Sequence, residues 1–201
     1  MRRLLAIDAA GDSCSAAVWS AGQVAASRRE QLGRGQSERL LPLVEAVMAE
    51  AGQDFDRLDA IAVTLGPGGF TGVRIGLAAA EGLALAWDLP ILGLSSFAVA
   101  AAALDPAERD QANLLLLLDA KRVEVYAEAL DPGGRSLLSP CLIAPQRLAE
   151  RLAAELAQGR WLLAGNAVDQ AWAALAGRGA LQAARPPTEA EAAVLARLAA
   201  T

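Results

Sequence analysis

Two stretches of this chain carry residue types whose spacing could do chemistry. The first is LGPGGFTGVRIG, Leu65 to Gly76, a glycine-rich turn between an apolar run and an alanine-rich segment. The free N–H groups at the start of a helix can hold an anion, and Gly68, Gly69 and Thr71 would stand at such a start, a possible nucleotide contact. A P-loop is excluded, because no frame of the stretch places a lysine beside a closing glycine. The second is Asp8, which ends the apolar run LLAID and leads into Ala10-Gly11-Asp12. A strand-end aspartate can hold a metal-bound phosphate when hairpin hydroxyls and amides complete the cradle. Here the hairpin begins with Ala9 and Ala10, leaving Asp12, Ser13 and Ser15, so Asp8 reads more readily as a turn cap than as a phosphate ligand. Asp119, at the end of Leu114–Asp119, carries the same ambiguity.

The glycine stretch also has a packing reading. Gly72, Gly76, Ala80 and Ala84 fall four apart on one helical face, with Ala79 beside them. Each glycine there lowers helix propensity by roughly 1 kcal/mol, a cost offset when another element approaches closely. The partner is either the chain's own sheet or a helix of another protein.

The elements that must hold these residues follow from periodicity. LLAID, CSAAVW (Cys14 to Trp19) and QVAASR (Gln23 to Arg28) are short runs separated by turns, an antiparallel meander. Ser37 opens an amphipathic helix with Leu40, Leu43, Val44, Val47, Met48 and Ala51 inward, Pro42 near its first turn and Gly52 after it. A strand at Asp59–Gly66, a helix at Thr71–Trp87, a strand at Pro90–Ser95 and a helix at Ser96–Leu104 then alternate, the mark of parallel crossovers. Composition turns polar near Asp105–Asn113, which sets two lobes, 1–108 and 109–201. The second holds strands at Leu114–Asp119, Val123–Ala129 and Trp161–Gly165, and helices at Pro145–Ala157 and Ala167–Ala176. Its last helix follows a capping-box spacing from Thr188 to Glu191. LLAIDAA and LLLLDAK echo each other, as in a duplicated strand that ends in aspartate. The expected fold is α/β, two ribonuclease-H-like lobes with mixed sheets, the second reduced.

Composition narrows the function. The 201 residues include no histidine and two cysteines, Cys14 and Cys141, so zinc sites of the usual kinds and histidine triads are excluded. A reduced, cytoplasmic setting is expected. The net charge of −5, with Lys121 the single lysine, gives no general attraction to nucleic acid. The local arginines Arg28, Arg29, Arg34 and Arg39 could touch an RNA beside a partner, or simply form a solvated rim. Asp8 interrupts the signal-like start, and the apolar run Leu89–Leu104 contains Pro90, Ser95 and Ser96, so no membrane segment is expected.

LLAIDAAGDSCSAAVW, QSERLLPLVEAVMAEAG, GPGGFTGVRIG with its alanine-rich helix, and LLLLDAKRVEVYAE together resemble the TsaB (YeaZ) family of tRNA threonylcarbamoyladenosine biosynthesis proteins. The likeness is close over the first half and one of pattern beyond about Ala144. It implies an actin-like (ASKHA) fold and a non-catalytic platform that binds TsaD, the subunit transferring threonylcarbamoyl to N6 of adenosine 37 in tRNAs reading codons that begin with A. It further implies TsaE as a second partner, a homodimer in isolation, tRNA held only through the complex, and no intrinsic cofactor, with ATP or ADP possible at the partner interface. The contact implied is a helix bundle carried by Ser37, Arg39, Leu40 and Leu43 on the first helix and by Gly72, Arg74, Ile75, Gly76 and Ala80 on the second. Two departures stand out. Family members commonly have Asp-Thr-Ser where this chain has Asp8-Ala9-Ala10, and His-Ser where it has Gln36-Ser37. The competing reading is a small phosphotransferase of the same fold. It would need two full lobes, two phosphate-gripping hairpins and a general base.

Overall fold

The computed structural model describes residues 2–33 and 35–201. In the first unit the chain runs β1 (Leu4–Asp8), β2 (Ser13–Ser20), β3 (Gln23–Gln31), α1 (Gln36–Glu50), β4 (Ala60–Thr64), α2 (Phe70–Trp87), β5 (Ile91–Leu94) and α3 (Ser96–Ala102). The sheet order is β3-β2-β1-β4-β5. β1, β2 and β3 pair antiparallel, whereas β1–β4 and β4–β5 are parallel. Strand alternation sorts the faces. Leu5, Ile7, Cys14, Ala16, Val18, Ile61 and Val63 pack in one core with Leu40, Leu43, Val44, Val47 and Met48 of α1 and with Ala80 and Ala84 of α2. Leu4, Ala6 and Asp8 point to the other face. Pro42 lies in the second turn of α1 rather than the first, on its exposed side, where one missing N–H is tolerated.

The second unit, Ala103–Pro187, contains α4 (Pro106–Arg109), β6 (Ala112–Asp119), β7 (Val125–Leu130), β8 (Ser136–Ile143), α5 (Pro145–Arg151), α6 (Ala153–Leu156), β9 (Arg160–Ala164), α7 (Val168–Leu175) and β10 (Ala180–Ala183). Its sheet order, β10-β9-β6-β7-β8, repeats the first with the same parallel and antiparallel pairs. The echo of the two aspartate-ending strands is therefore structural. Trp161 is fully buried, and its Nε1–H is shared between the carbonyls of Glu155 and Gln158, both at 3.2 Å, so the indole carries no unpaired polar group inside. Two strands were not expected, β8 and β10. Both are sheet edges, and β8 tolerates Pro140 for that reason. The helix expected over Pro145–Ala157 is two, broken at Leu152, whose backbone leaves helical geometry.

The last element corrects the lobe division. α8 (Glu191–Ala199) belongs to the first unit, which comprises the residues up to Ala102 together with Thr188–Thr201; the boundary is at 102/103, not 108/109. The physical reason is burial. Ala192, Ala193, Val194, Leu195 and Ala196 are all covered, and α8 packs on β1, β2 and β4, whose face away from α1 and α2 carries the small Ala6, Ala17, Ala60 and Ala62. The Ala192 N–H donates to Ser15 Oγ at 3.0 Å, and Arg197 Nη2 donates to the Ala102 carbonyl at 3.3 Å. The helix starts at Glu191 with Ala190 as its cap, so Thr188 and Glu191 form no capping box.

Candidate functional site

Asp8 is 4% exposed, at the C-terminal end of β1. Its Oδ2 accepts a 2.5 Å hydrogen bond from Thr64 Oγ1. Burial pushes its carboxyl up to about 6 against the lowering effect of the Thr64 hydroxyl, and the charge of Glu191 adds to the rise. Such an enclosed carboxyl is poorly placed to meet a phosphate-bound metal. Among the described residues, no group of three or more His, Cys, Asp or Glu could hold a metal ion.

The glycine turn closes on the turn after Asp8. The Gly69 N–H donates to the Ala10 carbonyl at 2.7 Å. A Cβ on Gly68 would overlap that same carbonyl, and one on Gly72 would overlap the carbonyl of Ala9. Glycine is required at these two positions because backbone meets backbone. The Gly69 amide, one of the donors an anion would need, is already engaged by the chain itself.

Along α2 the stripe of small residues faces inward. Gly72, Gly76, Ala80 and Ala84 are buried, and a Cβ on Gly76 would lie 3.7 Å from Val63 Cγ2 and 3.9 Å from Ala9 Cβ. Leu40 and Leu43 are likewise in the core. Of the residues expected to form a partner seat, Leu40, Leu43, Gly72, Gly76 and Ala80 are thus turned into their own unit, because four-residue spacing marks the sheet-facing side of the helix as readily as an outer one. Ser37, Arg39 and Arg74 are exposed, and Ile75 is half-buried. The outer face of α2 instead presents Phe70, 70% exposed, and Leu85, 88% exposed. The Arg74 guanidinium sits 3.8 Å over the Phe70 ring. Leu41 of α1 is exposed as well, and Trp87, at the end of α2, stacks on Phe55. Sequence reasoning missed Leu41, Phe70 and Leu85. The signal was present as large apolar residues falling off the small-residue stripe.

The arginine rim is paired. Arg28 Nε meets Glu50 Oε2 at 3.0 Å, Arg29 Nη1 meets Glu191 Oε1 at 3.6 Å, and Arg39 grips Glu30 through two bonds of 2.7 and 2.6 Å. The Arg39 contact holds the Glu30 carboxyl below its usual range. Arg34 lies outside the described residues.

In the second unit, Asp119 accepts from the Lys121 N–H at 2.6 Å and pairs with Lys121 Nζ at 2.9 Å, and its own N–H donates to Asn166 Oδ1 at 2.9 Å. Burial acts to raise this carboxyl, but the Lys121 contacts outweigh it and hold it below its usual value. Gly165, at φ 113°, passes so close to the Leu117 carbonyl that a Cβ would overlap it.

Two units with one strand order, each with an aspartate ending its first strand, define the actin-like class. A solved hexokinase of the ROK type from Thermus thermophilus shares that fold, with a TM-score of 0.55 at 16% identity over 96% of this chain and 97% of its own. The family model described as "TsaD: tRNA N6-adenosine threonylcarbamoyltransferase" matches residues 23–176. The tRNA threonylcarbamoyladenosine biosynthesis protein TsaB of Escherichia coli strain K12 is 33% identical over 85% of this chain and 73% of its own length. The solved YeaZ from Pseudomonas aeruginosa is 32% identical, with a TM-score of 0.80 over 99% of this chain and 91% of that one. The chain belongs to the TsaB (YeaZ) family.

Proposed function

We propose that this chain is a non-catalytic platform for N6-threonylcarbamoylation of adenosine 37 in tRNAs that read codons beginning with A. In this reading it binds and activates the TsaD transferase together with TsaE, pairs with itself when alone, works in the cytoplasm, and meets tRNA only through the complex. ATP or ADP belongs to the partner interface rather than to this chain. The observation that carries the non-catalytic part is the closed turn. Ala9 and Ala10 offer no hydroxyls, Ala10 takes the Gly69 amide, and Asp8 is buried against Thr64. A phosphotransferase needs those groups open to its nucleotide.

The partner surface we favour is the outer side of α1 and α2, with Ser37, Arg39, Leu41, Phe70, Arg74 and Leu85. Exposed leucine and phenylalanine beside an arginine are the residue types that anchor interfaces. Co-purification with TsaD of the same organism tests the platform, and Leu85→Glu is expected to abolish the pair while leaving the monomer folded. Robust ATP hydrolysis or sugar phosphorylation by the isolated chain, lost in Asp8→Asn, would instead establish the small-phosphotransferase reading.

A further inference from the structure

The face of the first sheet opposite α1 and α2 carries a polar cluster. Asp8 sits on it with Ser15, its cross-strand partner on β2, and with Thr64 on β4. α8 lies against this face, and its first residue, Glu191, has a side-chain atom, Oε2, that is buried with no hydrogen-bond partner. The other Glu191 oxygen meets Arg29 at 3.6 Å, with both side chains more than a third exposed, so solvent weakens that pairing. Glu189 and Arg197 of α8 pair with each other at 2.8 Å, α3 and β5 carry no titratable residue, Cys14 of β2 belongs to the opposite core, and Asp12 stands in the β1–β2 turn.

We propose that the docking of α8 on the β1–β2–β4 face is a proton-dependent latch, closed when Asp8 carries its proton and loosened when Asp8 ionises next to Glu191. Burial and the charge of Glu191 act against an Asp8 carboxylate in this setting, and only the Thr64 hydroxyl at 2.5 Å and the Ala10 backbone N–H support it. It sheds that penalty by regaining water, and α8 packs on β1, β2 and β4 at this face, with its Ala192 N–H bonded to Ser15, the cross-strand partner of Asp8. Ionisation therefore lowers the free energy of lifting α8 while leaving the β1–β4 pairing intact. The rise of the carboxyl from 3.8 to about 6 sets the range as pH 4 to 7 and the limit as a change of about a hundredfold in the opening equilibrium.

Hydrogen exchange of the full chain, corrected for intrinsic rates, reads the latch directly. Protection across Glu191–Ala199 is expected to fall by up to about a hundredfold between pH 4 and pH 8. At pH 8 it should drop below that of Ala60–Thr64. Asp8→Asn should remove the dependence and keep α8 protected at both ends of the range. Glu191→Gln, which leaves Asp8 in place, should weaken the dependence and move its midpoint to lower pH. The proposal is overturned if α8 and β4 keep equal protection at every pH, if α8 protection does not change, or if Asp8→Asn or Glu191→Gln retains the full wild-type response.

Discussion

The two units close the same strand–turn–glycine arrangement in opposite ways. In the first, Asp8 is buried, its carboxyl raised to about 6, and the following turn is clamped by Gly68, Gly69 and Gly72. In the second, Asp119 is partly exposed and held below its usual value by Lys121, while Gly165 makes the close approach. One topology has thus yielded a sealed acid and a solvated ion pair. The difference lies in the residues after the aspartate: alanines allow the turn to be pressed into the glycine loop, whereas a lysine folds back on the carboxylate and keeps it at the surface.

The largest effects are expected at the glycines. Gly72→Ala and Gly165→Ala each force a methyl into a backbone carbonyl, and each is expected to cost about 4 kcal/mol or more, read by urea denaturation. An unchanged midpoint in either would show that the close approach is not rigid. Next in size is the pH response. Because the folded-state value of Asp8 is raised, its stabilising contribution is complete below pH 3.8 and is lost as pH rises through about 6, a difference of about 3 kcal/mol that Asp8→Asn should eliminate. Asp119 has the opposite sign, contributing above its ordinary value and losing that contribution on acidification. Lys121→Met should cost less than about 1 kcal/mol at pH 7, with the loss shrinking as pH falls through the carboxylate range. The smallest effect belongs to Gly76→Ala. Its methyl finds ordinary contact at 3.7 Å, and helix propensity favours the change by up to about 1 kcal/mol, whereas Gly76→Leu should lose about 1 to 3 kcal/mol by overpacking the core. A melting point that stays fixed in Gly76→Leu while self-association disappears would return the stripe to an outer surface.

Period and turn chemistry made the first-unit meander and both crossovers legible, since LLAID, AIAVT and the alanine-rich helix each present one dominant spacing. The same spacing could not choose a side for the Gly72–Gly76–Ala80 stripe, because smallness suits any close neighbour. Leu85 would have settled it, being large and set apart from that stripe. The sealing of Asp8 was half visible in Ala9 and Ala10. Its contact with Thr64 joins strands far apart in sequence, and the approach of Glu191 depends on a helix returning from the far end of the chain, which no local pattern encodes.

That return has a consequence for synthesis. The first unit lacks one covering of its sheet until Thr188–Thr201 emerges from the ribosome, whereas Ala103–Pro187 is contiguous and can close as soon as it is made. At ordinary translation rates the unit begun first waits on the order of ten seconds for its final helix, with Leu4, Ala6, Ala17, Ala60 and Ala62 uncovered on one side. The nascent chain therefore completes its second unit before its first, and that interval is when the exposed sheet face is open to a chaperone or to a neighbouring chain on the same message.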